Sequence, residues 1–350
     1  MAYADPAYMA QTGSPAGGTD INDAYVQAYR AGFEQAFQQS ESKLQPFFEQ
    51  ESQNEEFQYF DRIGVAADMA EDATRYGDNP NSLIDHGRRR IGLKDYELGK
   101  YVDEKDLKRV LTDPMNAYTQ ALLSSGKRKI DDIIIDKFFG EAYVGKSGGT
   151  TRTFCEGVGD EDRTNIVVGD KSKGHGAAAI TAAGDYVVAG GETEGFSVGA
   201  NFGGSASGLT LAKLRAARRT MLKLQAIDQD EIVNCFVSAK QLDDLLGITE
   251  VVSSDFAVRK SLAEGSVTTF MGFRFIHTER LPLSTGGGGD ERRCIIATPK
   301  ALKLSIGSGL KGDMWRDPSK KNIPYLYFKL CAEASRMWGE VAGEIRCNES

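Results

Sequence analysis

Between Gly140 and Gly208 the chain holds a large share of its 39 glycines, broken only by short β-branched runs such as "TNIVVGD" and "GDYVVAGG". Such a segment has too little apolar bulk to close a core of its own. Ordering each backbone residue costs about 1–2 kcal/mol, which only buried side chains can offset. The segment therefore reads as small strands joined by tight turns, a loop or insertion held by its neighbours. The rest of the chain must supply the core. With 41% apolar residues over 350 positions it has the material, as one large domain or two to three ordinary ones.

Composition excludes several classes. No run of about 18 apolar residues occurs, so no membrane-crossing helix is expected. The opening "MAYADPAYMAQTGSPAGGTD" lacks a basic region followed by an apolar stretch. It reads as a loose tail and not as a secretory signal. Cys155, Cys235, Cys294, Cys331 and Cys347 are scattered without a CxxC pair, which argues against zinc and for reduced thiols. Cys235 and Cys294 lie in apolar runs and read as buried small hydrophobes. A formal net charge of −8 suits poorly a protein whose main task is gripping nucleic acid, since that grip comes from neutralising phosphates.

The helical signals are clear in places. In "NDAYVQAYRAGFEQAFQQ", Tyr25, Tyr29, Phe33 and Phe37 recur every four residues and form one aromatic stripe. That stripe must bury itself, on its own body or on a neighbouring subunit. "DEKDLKRVLTDP" reads as a short helix ended by Pro114. The following "MNAYTQALLSSGKRKIDDIIIDKFFG" reads as a longer one, interrupted at Gly126 and stopped at Gly140. Lys127/Asp131 and Lys129/Asp132 stand at supportive spacing along it. "GLTLAKLRAARRTMLKLQA" is an amphipathic helix with Thr210 as its cap. Ile232 to Val237 reads as a strand and Ala239 to Leu246 as a helix. "FQYFDRIGVA", the hairpin "FMGFRFIHTERLP" and "CIIATPKALKLSIG" have strand character. Without regular βαβ alternation, the organisation is α+β.

Chemistry is thinly represented. "GEAYVGKS", Gly140 to Ser147, matches the phosphate-binding loop, with Lys146 on the phosphates and Ser147 on magnesium, as in a nucleotide hydrolase. Its context is wrong: a helix precedes it and "GGTTRTFCEGVGDEDR" follows, where a helix N-terminus is required. "SSGK" and "SESK" match S-x-x-K, but S-D-N and K-T-G are absent. His86, His175 and His277 lack a partner at metal-ligand spacing, and "GGGGD" at Gly286 to Asp290 precedes a strand. The basic run Arg88, Arg89, Arg90 suits carboxylates at a subunit interface better than nucleic acid. No catalytic residue, cofactor or metal ligand is assigned.

The ordered series of segments resembles the major capsid proteins of tailed bacteriophages, with the Hong Kong 97-type fold. "YGDNPNSLIDHGRRRIGLKDYELGKYVDEKDLKRVLTDPMNAYTQAL" is similar to that family's extended loop and return strand, and "KIDDIIIDKFFG" to the end of its spine helix. "GLTLAKLRAARRTMLK", "CFVSAKQLDDLL" and "FMGFRFIHTERLP" resemble its apical domain, and "ASRMWGEVAGEIRC" its last peripheral strands. The likeness covers about residues 20–350 and is weakest over 140–208. It implies an N-terminal arm at 1–55, an extended loop at 56–105, and a peripheral domain at 106–140 and 302–350 with a long spine helix. It also implies a Gly-rich loop or insertion at 141–207 and an apical domain at 208–301. It further implies a shell of pentamers and hexamers around double-stranded DNA, assembled in the host cytoplasm with scaffolding and portal proteins and, in some members, decoration proteins. Tyr25, Tyr29, Phe33, Phe37, Arg88, Arg89 and Arg90 are then the expected inter-subunit contacts. An encapsulin-type compartment shares the fold and stays open as an alternative.

Overall fold

The computed structural model describes residues 38–64, 69, 84, 86–102, 115–155, 166–168, 186–188, 193–202, 207–247, 269–284 and 290–349. The first half of the chain supplies β1 (Glu49–Ser52), β2 (Phe57–Ile63), β3 (His86–Gly92), β4 (Asp95–Tyr101) and helix α1 (Met115–Phe139). Short strands follow: β5 (Ala142–Val144), β6 (Thr150–Phe154), β7 (Ile166–Val168), β8 (Tyr186–Val188), β9 (Thr193–Glu194) and β10 (Phe196–Val198). Next come α2 (Leu211–Lys223), β11 (Val233–Val237), α3 (Ala239–Gly247), β12 (Thr269–Phe270), β13 (Phe273–His277) and β14 (Leu283–Ser284). The chain closes with β15 (Glu291–Ala297), β16 (Leu302–Asp317), β17 (Ile323–Arg336) and β18 (Ala342–Asn348). This is the α+β organisation expected, with the Gly-rich stretch contributing short strands.

Three sheets result. The largest runs β12-β13-β11-β15-β18-β10-β7-β8, with β14 paired to β15. Its centre is the antiparallel pair β15–β18, in register from Glu291↔Asn348 to Ala297↔Ala342. Strand β11 is buried along its whole length, and Cys294, Ile295, Ile296, Ala342, Ile345 and Cys347 are fully buried beside it. Strands covered on both faces read as continuous apolar runs, as "VNCFV" and "CIIA" do. Helix α2 lies against β10 and β18, and α3 against β11. The second sheet, β2-β3-β5-β6-β9, carries the hairpin β2–β3. The third, β1-β16-β17-β4, uses the two longest strands.

The chain divides into two compact units. The smaller comprises 1–38, 97–123 and 312–328, and the larger 39–96, 124–311 and 329–350. In the larger unit, Ile130, Ile133, Ile134, Ile135 and Phe138 of α1 are buried. Gly126 does not interrupt this helix, contrary to expectation. A Cβ there would lie 2.6 Å from Leu310 Cδ1, so the glycine marks a close approach of β16. The acidic residues expected to pair with lysines along the helix turn elsewhere. Asp131, fully buried, accepts the backbone N–H groups of Lys43 and Leu44 at 3.1 Å each and the Ser42 hydroxyl. Asp132 accepts a two-pronged grip from Arg280 at 2.7 and 2.6 Å. Tertiary partners thus displace local i,i+3 and i,i+4 pairs, which are worth only about 0.2–0.5 kcal/mol.

Other expectations hold in detail. Thr210 caps α2, accepting from Lys213 N–H. Lys213 itself is buried, its ammonium held by the carbonyls of Ser207, Gly208 and Arg346 at 2.6, 3.0 and 3.0 Å. The hairpin at Phe270 turns at Met271 and Gly272, with φ of +52° and +76°. Two consecutive positive φ values give the turn the twist that matches paired strands.

Candidate subunit-contact surface

The second sheet exposes one face of β2 and β3. Register pairs Tyr59 with Arg90, Asp61 with Arg88 and Ile63 with His86 on one face, and Phe60 with Arg89 on the other. The period-2 alternation of a strand therefore divides the run Arg88, Arg89, Arg90. Arg88 and Arg90 point outward with Phe57, Tyr59 and Ile63, which are 42%, 42% and 64% exposed. Arg90 stacks on Phe57 and Tyr143 at 5.0 and 4.9 Å, and Arg88 lies 5.6 Å from the Tyr59 ring. Arg88 also grips Asp61 at 2.5 and 3.1 Å, and this hydrogen bonding holds the Asp61 carboxyl below the usual range. The result is an exposed aromatic strip flanked by arginines, the composition of interface anchors.

Arg89 lies elsewhere. It is wholly buried in its own chain and donates to Glu194 of β9. Its charge is engaged inside the subunit, so it is not offered to a neighbour. Tyr25, Tyr29, Phe33 and Phe37 lie outside the described residues.

The smaller unit has its own exposed aromatic group, which the sequence reading did not single out. Trp315 of β16 packs on Tyr325 and Tyr327 of β17 at 5.1 and 5.4 Å between centroids. Tyr101 of β4 lies 4.3 Å from Tyr325. Met314 and Trp315 remain 58% and 43% exposed, and β16 is exposed on both faces from Lys311 to Arg316. A strand without a dry face does not bury itself. The signal available in the sequence was "GDMWRD", a large apolar pair set among charges.

The catalytic matches dissolve in the geometry. "GEAYVGKS" forms β5 and the tip of a hairpin into β6, with Val144 opposite Thr150. Gly145 and Gly148 take φ of +90° and +65°, and no helix N-terminus follows. Lys146 and Ser147 are exposed at the tip. A Cβ on Gly148 would meet Arg90 Cδ at 2.7 Å, so that glycine makes room for an arginine and not for a phosphate. His277 sits exposed at the end of β13, 2.9 Å from Glu279. Among the described residues no three His, Cys, Asp or Glu side chains converge as metal ligands would. Cys235 and Cys294 are buried in the largest sheet, and burial pushes the Cys235 thiol upward.

The larger unit thus combines a dry core with an exposed aromatic–arginine strip, and β16 is bare from Lys311 to Arg316. The family described as phage capsid protein matches residues 21–349. The chain belongs to that family and is a major capsid protein of the phage head shell. No curated protein matches the sequence. Among solved structures, the capsid of the cyanophage P-SCSP1u is similar, with a TM-score of 0.61 and 14% identity over 97% of this chain and 100% of that one. The capsid of Ralstonia phage GP4 gives a TM-score of 0.61 at 9% identity, covering 96% and 99%. The capsid of a native GTA particle gives 0.58 at 12%, covering 94% and 99%. The Hong Kong 97-type α+β reading stands.

Proposed function

We propose that the chain assembles as pentamers and hexamers into an icosahedral head enclosing the double-stranded DNA of a tailed phage. The observation that carries the assembly is the aromatic–arginine strip of β2 and β3, formed by Phe57, Tyr59, Ile63, Arg88 and Arg90. A contiguous exposed strip of this kind marks a protein–protein contact site. Tyr25, Tyr29, Phe33 and Phe37 form a second contact, an N-terminal stripe laid on an adjacent subunit. The division into arm (1–55), extended loop (56–105), peripheral domain (106–140 and 302–350), Gly-rich loop (141–207) and apical domain (208–301) belongs to the same reading. The role is structural and not enzymatic. Scaffolding and portal proteins are its partners in the host cytoplasm. A net charge of −8 is compatible with enclosing DNA, because packaging by a motor requires no tight shell–DNA affinity.

Negative-stain electron microscopy with sedimentation of the purified protein tests this. Closed shells, or rings of five and six, are expected. A compact monomer or dimer at every salt and crowding condition would overturn it. Nuclease-protected DNA in native particles supports the phage role, whereas enzyme cargo would move the protein to the encapsulin-type compartments.

A further inference from the structure

Three guanidiniums converge on one carboxylate in the larger unit, with a fourth close by. Glu194 of β9 accepts from Arg89 Nη2 and, at 3.2 Å, from Arg152 Nη1 of β6. Its second oxygen lies 3.7 Å from Arg336 Nε at the end of β17. Arg336 spends its other donors on the carbonyls of Phe138, Gly140 and Arg152 at 2.6, 3.0 and 3.1 Å. Arg62 of β2 completes the group, donating to the Met337 carbonyl and stacking 4.8 Å over Trp338. Burial, and then the Arg89 charge, brings Arg62 down to about 10, and burial brings Arg336 to about 10 as well.

Among the described residues the cluster is short of negative charge: against four guanidiniums stand Glu194 and, near Arg62, Glu340. Arg89 is wholly buried, yet its Nε and Nη1 have no hydrogen-bond partner among the described residues. A buried cation with unmade N–H bonds is unfavourable unless something occupies them. Arg62 and Arg152 stay partly exposed at the rim of the cluster.

We infer that this cluster binds a small tetrahedral oxyanion of the phosphate or sulfate class, held by Arg62, Arg89 and Arg152 beside Glu194. Guanidinium forks match such anions with paired, charge-assisted hydrogen bonds. The anion supplies the missing negative charge and ties β2 and β3 to β6 and the end of β17. The phosphates of a DNA duplex do not reach it, because Arg89 is recessed. The inference does not depend on the assembly reading.

Thermal unfolding of the full chain in low-millimolar sodium phosphate, against sodium chloride at equal ionic strength, is the test. Both anion classes stabilise proteins non-specifically at high concentration, so the readout is a saturable rise compared between variants. The wild type is expected to gain about 2 °C or more at saturation. The double variant Arg62→Gln/Arg152→Gln is expected to lose the saturable rise, and Arg274→Gln, an exposed arginine of β13, to keep it. Should the double variant not fold, Arg152→Lys keeps the charge, loses the fork and is expected to weaken the effect. No saturable rise in the wild type, or an equal rise in the variants, would overturn the inference. So would a rise given by a duplex oligonucleotide and not by inorganic phosphate.

Discussion

At the residue scale, the charges of this subunit fall into two populations. Exposed ones such as Arg88 and Asp61 lie in high dielectric and leave folding stability nearly untouched. Buried ones are built into the core. Glu344 of β18 is wholly buried between Arg293 at 2.6 Å and Arg346 at 3.0 Å, with the Ser197 hydroxyl at 2.6 Å. Burial pushes its carboxyl up, but the two guanidiniums and the hydroxyl outweigh that and hold it below the usual range. Glu194 behaves alike beside Arg89 and Arg336. Both carboxyls bind protons less readily folded than unfolded. Their stabilisation is therefore complete above the unfolded carboxylate value of about 4.3 and is lost as pH falls through the lower folded values. Urea midpoints taken from about pH 6 to about pH 3 should fall along that course. Glu344→Gln should lower stability at neutral pH by about 3–5 kcal/mol, because it removes the buried carboxylate that Arg293 and Arg346 both grip. It should also flatten the acid limb.

At the element scale, turns and close approaches set the geometry. The β12–β13 turn needs two positive φ values, and Arg218 donates to the Gly272 carbonyl at 3.2 Å. A Cβ on Gly272 would lie 2.1 Å from Arg218 Nη1. Gly272→Ala is therefore expected to cost about 1–2 kcal/mol through strain and the displaced arginine. A lower urea midpoint with an unchanged m-value checks it. Helix α1 shows the complementary case. Its glycine at 126 reads locally as a break, yet the helix is continuous because packing supplies what propensity withholds.

At the scale of the whole molecule, the exposed strips are where the proposed assembly is tested. Phe57, Tyr59 and Ile63 stay exposed because the facing pair Phe60 and Arg89 already fills the inner side of the hairpin. Tyr59→Asp places a charge in the strip without touching the core. Assembly should fall by an order of magnitude or more in sedimentation, a loss of about 1.4 kcal/mol or more per contact. Circular dichroism and the urea midpoint should stay unchanged. Trp315→Ala in the smaller unit should act in the same direction, since large aromatics dominate interface energetics. Normal shells from both variants would show that neither strip is a contact.

Much of this was legible in the chain itself. The alternating run "FRFIH" and the continuous apolar run "VNCFV" specify strands, the four-residue spacing of "LAKLRAARRTML" specifies a helix, and Thr210 specifies its start, because these depend on neighbours in sequence. The ordered series of elements specified the family. What tertiary structure alone decided is which side chains face one another. Arg88 and Arg89 are adjacent and chemically identical, yet one is exposed beside Asp61 and the other is buried on Glu194, 105 positions away. Asp131 looked like a lysine's partner and instead holds residues 42–44, and Lys213 is buried on three carbonyls. Local pairing energies are fractions of a kcal/mol, whereas leaving a buried charge without a partner costs several. Long-range geometry therefore overrules local pattern wherever a charge leaves the solvent.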